Sequence, residues 1–272
     1  HFVDLVLADL IEKYGEEKVA RSGFQVKTSL DLNLQKQLQQ TISNNMANVR
    51  AYGGSNAGAV AIDPATGSIR ALVGSYDWND ESFGEVNIVT AKRQPGSSFK
   101  PLYYAEALAE GVITPATILE DAPTNFNGYE PKNALRNYNG DVTVRKALNW
   151  SLNIPAVKVM QRLGVEKSVA AAKRMGITTI DDRKDYGLSL ALGAAEARLL
   201  DITHAYAGFA NAGNQAQISY VDEIKSKFDE NVLIEKKDPK RVISEGGAYL
   251  ISNILSDNNA RAGMFGSSLT VP

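Results

Sequence analysis

Ser97 and Lys100 are the residues of this chain whose types and spacing best suit covalent chemistry. A serine hydroxyl is a weak nucleophile until a neighbouring base removes its proton. Residues three apart share one face of a helix, so a helix that begins at Pro95–Gly96 would bring the hydroxyl and the amine together. Lysine acts as a base only when its pKa falls from about 10.4 towards neutrality. The pair therefore indicates a serine nucleophile with an adjacent lysine base.

The Ser-x-x-Lys spacing by itself has little specificity, because it arises by chance about once in a chain of this length. On spacing alone, a helix cap at Ser97 and a solvated side chain at Lys100 are the better explanation. Ser98 is only two residues from Lys100 and would point to another face of the helix, which makes it the poorer nucleophile. Neighbouring segments must decide the assignment.

A second polar element, Ser-x-Asn, occurs at residues 43–45, 151–153 and 256–258. Ser43 falls within a predicted amphipathic helix and is interpreted as a surface residue. Ser256 follows a predicted helix end and is interpreted as part of a cap. Ser151 and Asn153 lie between two short predicted helices, where a loop can aim both side chains into a cleft. There the Ser151 hydroxyl can relay a proton and the Asn153 amide can hold a substrate carbonyl; the alternative for Ser151 is a simple helix cap.

The composition excludes several classes of function. The 272 residues carry a formal net charge of −2, so no basic face favours a nucleic-acid partner. There is no cysteine, and His1 and His204 are the two histidines. Since His204 falls on an apolar helical face, we expect no metal site. No glycine-rich phosphate loop precedes a helix, and no cofactor is expected. No apolar run approaches the roughly 20 residues of a membrane span.

The elements that must position these residues follow from hydrophobic periodicity and turn signals. Residues 2–14 have helical spacing, and residues 24–28 alternate like a short strand. Asp31 is a suitable N-cap for a second helix. Its predicted apolar face consists of Leu34, Leu38, Ile42, Met46 and Val49. The flexible segment 53–56 follows, and we predict a boundary there between residues 1–55 and residues 56–272.

Beyond this boundary the pattern indicates an α+β domain. Apolar runs at 57–62 and 69–73, joined by turn residues, predict a hairpin. A helix that ends near Gly111 should follow the Ser97 segment. The remaining predicted helices cover residues 143–150, 155–164, 165–176, 195–212 and, after a Ser244 cap, residues up to Ile254. The remaining predicted strands cover residues 218–224 and 232–235. Strands at both ends of a helical middle are typical of α+β proteins and differ from a βαβ repeat.

These motifs carry a resemblance to a known family. Residues 93–101, RQPGSSFKP, closely resemble the active-serine segment of class A penicillin-binding proteins, and residues 151–156, SLNIPA, resemble their second motif. Further segments that resemble the family are GAVAIDPATG at 58–67, DAP at 121–123, PKN at 131–133, LSLALG at 188–193 and SDNNARA at 256–262. Residues 1–55 resemble the segment that joins the glycosyltransferase to the transpeptidase. The resemblance covers essentially the whole chain.

The resemblance implies a penicillin-binding protein transpeptidase fold, similar to serine β-lactamases, with an antiparallel sheet and a mostly helical subdomain. It implies a D,D-transpeptidase that crosslinks peptidoglycan stem peptides through an acyl-serine and is inhibited by β-lactams. Ser97 would be the nucleophile and Lys100 the base, while Ser151 would relay a proton and Asn153 would orient the substrate. The parent protein would also be a glycosyltransferase, held by an N-terminal membrane anchor at the extracytoplasmic face of a bacterial membrane.

One feature of the family is missing from the sequence. Its third motif, Lys-Thr-Gly or Lys-Ser-Gly, does not occur, and we expect it on a strand shortly beyond Pro272. The sheet should then be incomplete, and the fragment should react poorly with penicillin. Two alternatives remain: a hydrolase such as a D,D-carboxypeptidase or β-lactamase, and a non-catalytic β-lactam sensor. No segment resembles the carboxylate-bearing loop of common β-lactamases, and residues 1–55 favour the bifunctional synthase.

Overall fold

The fold is known from a computed structural model that describes residues 1–181, 186–232, 234 and 237–266. By their contacts, the described residues form two compact units. The first unit comprises residues 1–92, 198–207 and 215–240, and the second comprises residues 93–197, 208–214 and those from 241 onwards. The division at residue 55 concerns the domains of the family rather than contact density, and it stays a prediction.

Helices and short strands alternate along the chain. The helices are α1 (Phe2–Tyr14), α2 (Glu16–Arg21), α3 (Leu32–Ala51), α4 (Lys100–Ala109), α5 (Val144–Asn149), α6 (Asn153–Leu163), α7 (Val165–Arg174), α8 (Leu199–Ala210), α9 (Glu245–Leu255) and α10 (Asn258–Phe265), with 3-10 segments at Gly96–Phe99 and Leu188–Leu192. The strands are β1 (Gln25–Thr28), β2 (Ala59–Ile62), β3 (Ile69–Val73), β4 (Lys92–Arg93), β5 (Ile118–Asp121), β6 (Gly140–Thr143), β7 (Ala197–Arg198), β8 (Asn214–Gln215), β9 (Val221–Lys225) and β10 (Lys240–Arg241). This composition is α+β, as predicted.

The first unit is built around two antiparallel strand pairs. β2 pairs with β3, with Ala59 opposite Val73, and β1 pairs with β9. Its apolar core combines one face of α1 with residues of β3 and β9, of α8 and of the loop after β3, namely Phe2, Val6, Leu10, Ile69, Leu72, Val89, Leu200, Val221 and Ile224. Gln35 fastens α3 to β3, because its side-chain amide bonds both the N–H and the carbonyl of Leu72, at 2.8 and 2.9 Å. The antiparallel pairing of β2 with β3 confirms the hairpin predicted from residues 57–62 and 69–73.

The second unit is organised by helix α4. Most of its side chains are buried, and it contacts α6, α7 and α9. The Tyr103 hydroxyl lies 3.2 Å from the carbonyl oxygens of both Ala156 and Ala191, which ties α4 to α6 and to the 3-10 segment Leu188–Leu192. Strands β5 and β6 form an antiparallel hairpin in which Asp121 lies opposite Gly140.

The predicted helix caps are confirmed. The Asp31 carboxylate accepts from the N–H groups of Asn33 and Leu34, and the Ser244 hydroxyl accepts from Gly247 at the start of α9. The predicted apolar face of α3 is correct only in part: within it Met46 is buried, Leu38, Ile42 and Val49 are half-buried, and Leu34 is exposed. A helix that covers one edge of a two-stranded hairpin has little surface on which to bury a full stripe.

Three predicted boundaries are wrong. The helix predicted at 195–212 begins at Leu199, because residues 197–198 are in β7. The strand predicted at 218–224 is β9, which begins at Val221. Asn153 does not lie in a loop as predicted, since it is the first residue of α6. The prediction placed the start of this helix at Pro155. Proline is tolerated throughout the first turn of a helix, where its missing N–H would have no helical partner, so the helix can begin two residues earlier. The strand predicted at 232–235 falls partly outside the described residues.

Gly193 permits the closest backbone approach in the second unit. It has a φ of +74°, which favours glycine, and a Cβ added there would lie only 2.5 Å from the backbone nitrogen of Gly96. Gly96 is the residue before Ser97, so Gly193 allows the Leu188–Leu192 segment to lie directly against the turn that carries the serine. Gly187, at the other end of that segment, has an ordinary extended backbone and open space around it.

We therefore expect Gly193→Ala to lower the free energy of unfolding by about 2–4 kcal/mol, from overpacking and a left-handed backbone together. Gly187→Ala is the matched control and should change the same quantity by less than about 0.5 kcal/mol. Urea denaturation with unchanged m-values measures both. Equal effects of the two substitutions would contradict the close approach at Gly193.

Candidate active site

Ser97 is presented on a tight helical turn. The 3-10 segment Gly96–Phe99 runs directly into α4 at Lys100, whose N–H donates to the Ser97 carbonyl. The Ser97 side chain is exposed, and its hydroxyl makes no hydrogen bond with the part of the chain that the structure describes. The Ser98 hydroxyl instead donates to the Pro95 carbonyl at 2.7 Å. Of the two adjacent serines, Ser97 has the hydroxyl available to a ligand.

The Lys100 amine is buried one turn after Ser97. The residue is only 1% exposed, and its Nζ is surrounded by oxygen atoms of the second polar element. Nζ donates to the Ser151 carbonyl at 2.7 Å and to Asn153 Oδ1 at 2.8 Å. The Ser151 hydroxyl and the Leu152 carbonyl lie farther away, at 3.2 and 3.3 Å. The structure therefore brings Lys100, Ser151 and Asn153 together, with Ser97 one turn before Lys100.

Burial lowers the pKa of Lys100 from 10.5 to about 7. Removal from water penalises the charged ammonium, and this desolvation is the cause of the shift. The surrounding oxygen acceptors act in the opposite direction, since they stabilise the ammonium form. A pKa near neutrality leaves a substantial fraction of the amine unprotonated at pH 7, which is what a base requires.

The backbone at Ser151 explains why two carbonyl oxygens face the amine. Ser151 follows α5 with a left-handed φ of +54°. Its N–H bonds to the Leu148 carbonyl and the N–H of Leu152 bonds to the Ala147 carbonyl, which is the Schellman pattern of a helix C-terminus. Leu152 and Ala147 also belong to one apolar cluster, as that motif requires. A serine in a place that favours glycine indicates a use for the hydroxyl.

Three polar groups of Asn153 have hydrogen-bond partners at this site. Its Oδ1 accepts from Lys100, its Nδ2 donates to the Lys132 carbonyl at 2.7 Å, and its backbone N–H donates to Asn133 Oδ1 at 2.8 Å. The sequence marked residues 131–133 only as a family-like segment and gave them no role. No local pattern could have assigned one, because Asn133 is 20 residues from Asn153 along the chain.

The other candidate residues take structural positions. Ser43 lies exposed on α3, and Ser256 is the C-terminal cap of α9, followed by Asp257 as N-cap of α10. His204 is partly buried with its ring nitrogen 2.7 Å from the Ala216 carbonyl. Within the described ranges no group of three or more His, Cys, Asp or Glu side chains could hold a metal ion.

Comparisons with known proteins identify relatives of this chain. The sequence profile of the penicillin binding protein transpeptidase domain matches residues 57–266. The chain is 32% identical over 259 residues to penicillin-binding protein 1F of Bacillus subtilis, which covers 93% of this chain and 35% of that protein. It is 33% identical over 234 residues to penicillin-binding protein 1C of Escherichia coli, which covers 85% of this chain and 29% of that protein. The chain thus spans about a third of the length of these relatives.

Solved structures show the same fold. The structure of PonA1 from Mycobacterium tuberculosis in complex with penicillin V has a TM-score of 0.79 at 22% identity, covering 97% of this chain and 71% of that one. Penicillin-binding protein 1A from Haemophilus influenzae has a TM-score of 0.81 at 21% identity, covering 95% of this chain and 57% of that one. Since the family profile spans most of the sequence, the chain belongs to the penicillin-binding protein transpeptidase family.

Proposed function

We propose that this chain is the core of a D,D-transpeptidase domain from a class A penicillin-binding protein, with Ser97 as nucleophile and Lys100 as base. The observation that carries the proposal is the buried Lys100 amine, held by Ser151 and Asn153 one turn after an exposed serine. A lysine that is neutral near pH 7 can activate a serine without a histidine.

In the acylation step, the unprotonated amine of Lys100 takes the proton from the Ser97 hydroxyl. The Ser97 oxygen then bonds to the carbonyl carbon of the penultimate D-alanine of a stem peptide. Backbone N–H groups at the start of the helical turn help to stabilise the oxyanion of the tetrahedral intermediate. The C–N bond to the terminal D-alanine breaks, and the departing nitrogen takes up a proton through the Ser151 hydroxyl, which lies 3.2 Å from the Lys100 amine.

In the transfer step, an amine from a neighbouring strand attacks the acyl-serine. Its nitrogen bonds to the acyl carbon and gives up one proton to the Lys100 amine, the ester bond to Ser97 breaks, and the Ser97 oxygen takes that proton back. A β-lactam would acylate the same oxygen by opening of its ring, so that its amine remains attached.

Because peptidoglycan lies outside the cytoplasmic membrane, the proposed substrates imply that the chain works at the extracytoplasmic face of a bacterial membrane. Residues 1–55 would then be the linker from a glycosyltransferase. Over the described ranges, no helix is both long and apolar enough to cross a membrane.

The surroundings of the base differ from those expected of a common β-lactamase. In the described part of the chain, no carboxylate bonds to the Lys100 amine, whose four contacts are all neutral oxygen atoms. Common β-lactamases use a carboxylate to activate the water that hydrolyses their acyl-serine. Incubation with a peptide ending in D-Ala-D-Ala, with and without an acceptor amine, separates the alternatives: a transferase forms the new amide, a hydrolase forms the free acid, and a sensor releases no D-alanine.

The first prediction concerns the nucleophile. In a version of the chain extended through a Lys-Thr-Gly segment, a fluorescent penicillin should label the protein covalently, and Ser97→Ala should reduce the label to background. Ser98→Ala is the matched control and should keep the label, because Ser98 Oγ already bonds to the Pro95 carbonyl. Gel fluorescence after denaturation measures the label. Undiminished labelling of Ser97→Ala would refute the assignment.

The second prediction concerns the base. Because the unprotonated amine is the active form, the acylation rate should fall about tenfold per pH unit below the Lys100 pKa of about 7 and level off above it. Lys100→Arg keeps a cation that does not lose its proton, so it should lower the plateau rate by about 10²–10⁴-fold. Stopped-flow acylation from pH 5 to pH 9 tests both statements. A wild-type rate that is independent of pH across this range would contradict them.

The third prediction separates the strain at Ser151 from its chemistry. Ser151→Gly and Ser151→Ala both remove the hydroxyl and should both slow acylation. Glycine relieves the left-handed φ of +54°, so Ser151→Gly should be more stable than Ser151→Ala by about 1 kcal/mol. Urea unfolding and penicillin acylation are measured on both variants. Wild-type acylation rates in both would show that the hydroxyl has no role.

A further inference from the structure

We propose that Asp121 and Asn133 are positioning residues for the Lys100 amine, acting through Asn153. This inference deepens the proposed function and rests on it for its catalytic meaning. The geometric basis is a hydrogen-bond network that links a buried carboxylate at the end of β5 to the Asn133 side-chain amide, links that amide to the backbone N–H of Asn153, and links the Asn153 side chain to the amine.

The hydrogen-bond network begins at the Asp121 carboxylate, which is fully buried. Asn133 Nδ2 donates to its two oxygens at 2.8 and 3.0 Å. Asn139 adds a backbone donor at 3.0 Å and a side-chain donor at 2.7 Å. Across the described residues, no cation pairs with this carboxylate, so amide donors alone compensate its burial. A buried charge without a counter-ion is costly, and its retention indicates a requirement that a neutral side chain does not meet.

That requirement is the orientation of the Asn133 amide. A carboxylate can only accept hydrogen bonds, so the amide nitrogen of Asn133 must face Asp121. Its oxygen then faces the other way and accepts from the Asn153 N–H at 2.8 Å. An Asn133 amide turned by 180° would set oxygen against oxygen at Asp121. The carboxylate, together with the Asn137 carbonyl that accepts from the same Nδ2 at 2.9 Å, therefore fixes the first residue of α6.

The same logic fixes the side chain of Asn153. The Lys132 carbonyl can only accept, so Asn153 Nδ2 must face it, at 2.7 Å. Asn153 Oδ1 is thereby directed at the Lys100 amine, at 2.8 Å. Residues 132 and 133 thus hold the side-chain and backbone groups of Asn153, and Asp121 holds residue 133. If the hydrogen-bond network is cut at Asp121 or Asn133, the start of α6 is no longer held, Asn153 Oδ1 moves away from the amine, and the ammonium form of Lys100 loses an acceptor.

The test measures the Lys100 amine directly, without a substrate. In protein labelled with 13C-lysine, the Lys100 Cε resonance is identified by its loss in Lys100→Met and is followed against pH. We expect the titration midpoint of wild type near 7 and that of Asp121→Asn about one unit lower, because one hydrogen bond to the charged form is lost. Asn133→Ala removes the next member of the hydrogen-bond network and should shift the midpoint in the same direction.

Asp141→Asn is the matched control, since Asp141 is an exposed aspartate on the partner strand β6 of the same hairpin. It should leave the midpoint unchanged. Asn153→Ala removes the acceptor itself, so adding Asp121→Asn to it should produce no further shift. Wild-type midpoints in folded Asp121→Asn and Asn133→Ala, or additive shifts in the double variant, would overturn the proposal. A general loss of stability lowers the amount of folded protein and does not move the midpoint.

Penicillin acylation of the extended chain provides the second readout. Asp121→Asn should lower the plateau rate and move the pH midpoint of acylation in the same direction as the NMR titration. Penicillin labelling and the NMR titration test separate proposals, so that either proposal can be contradicted without the other. If Ser97→Ala still labels, the proposed function is wrong while the NMR titration still tests the positioning chain; if the midpoints do not move, the positioning chain is wrong while Ser97 labelling stands.

Discussion

The burial of a single amine is the constraint on which the rest of the site depends. Lys100 is almost fully enclosed, and burial of an ammonium ion without partners would cost several kcal/mol. The protein meets this cost by surrounding Nζ with oxygen atoms, of which the Ser151 carbonyl and Asn153 Oδ1 are the nearest. Desolvation lowers the pKa of Lys100 to about 7, while oxygen acceptors around an amine favour its ammonium form.

This constraint accounts for features that look unrelated in the sequence. Two of the four acceptors are backbone carbonyls, and they face the amine because Ser151 adopts the left-handed conformation that ends α5. Tyr103, one turn beyond Lys100, ties α4 to α6 and to the segment that ends at Gly193. The second motif therefore acts through its backbone shape as much as through its serine and asparagine side chains.

Local sequence signals predicted the elements that are defined locally. The caps at Asp31 and Ser244, the helix α1 and the β2–β3 hairpin all depend on residues within a few positions of one another. The β5–β6 hairpin was missed, because residues 122–139 separate its strands and no tight-turn signal links them. Helix α10 was missed as well, since it is short and has no buried residues.

For the site, the sequence predicted four candidate side chains, but it could not show how they are held. Ser97, Lys100, Ser151 and Asn153 were identified by motif and resemblance, and their roles remain proposals. The roles of Asp121 and Asn133 were not predicted, because the hydrogen bonds that define them join residues 12 and 20 positions apart. The sequence also does not show which way a side-chain amide is turned. A neighbour that can only accept hydrogen bonds, such as a carboxylate or a carbonyl, decides where the amide nitrogen lies.

The hydrogen-bond network explains the role of the long connection between β5 and β6. It leaves the sheet beside a buried carboxylate and returns the Lys132 carbonyl and the Asn133 amide to the start of α6. Every group along this path has its partner, and a polar network that is fully satisfied is rigid, whereas the loss of one member leaves buried groups unpaired. Ser97 is different: its exposed hydroxyl has no hydrogen bond within the described residues. An amine that is fixed by its surroundings and a hydroxyl that is left open to a ligand suit the proposed acyl transfer, because a substrate would complete the site at Ser97 while the amine stays in place.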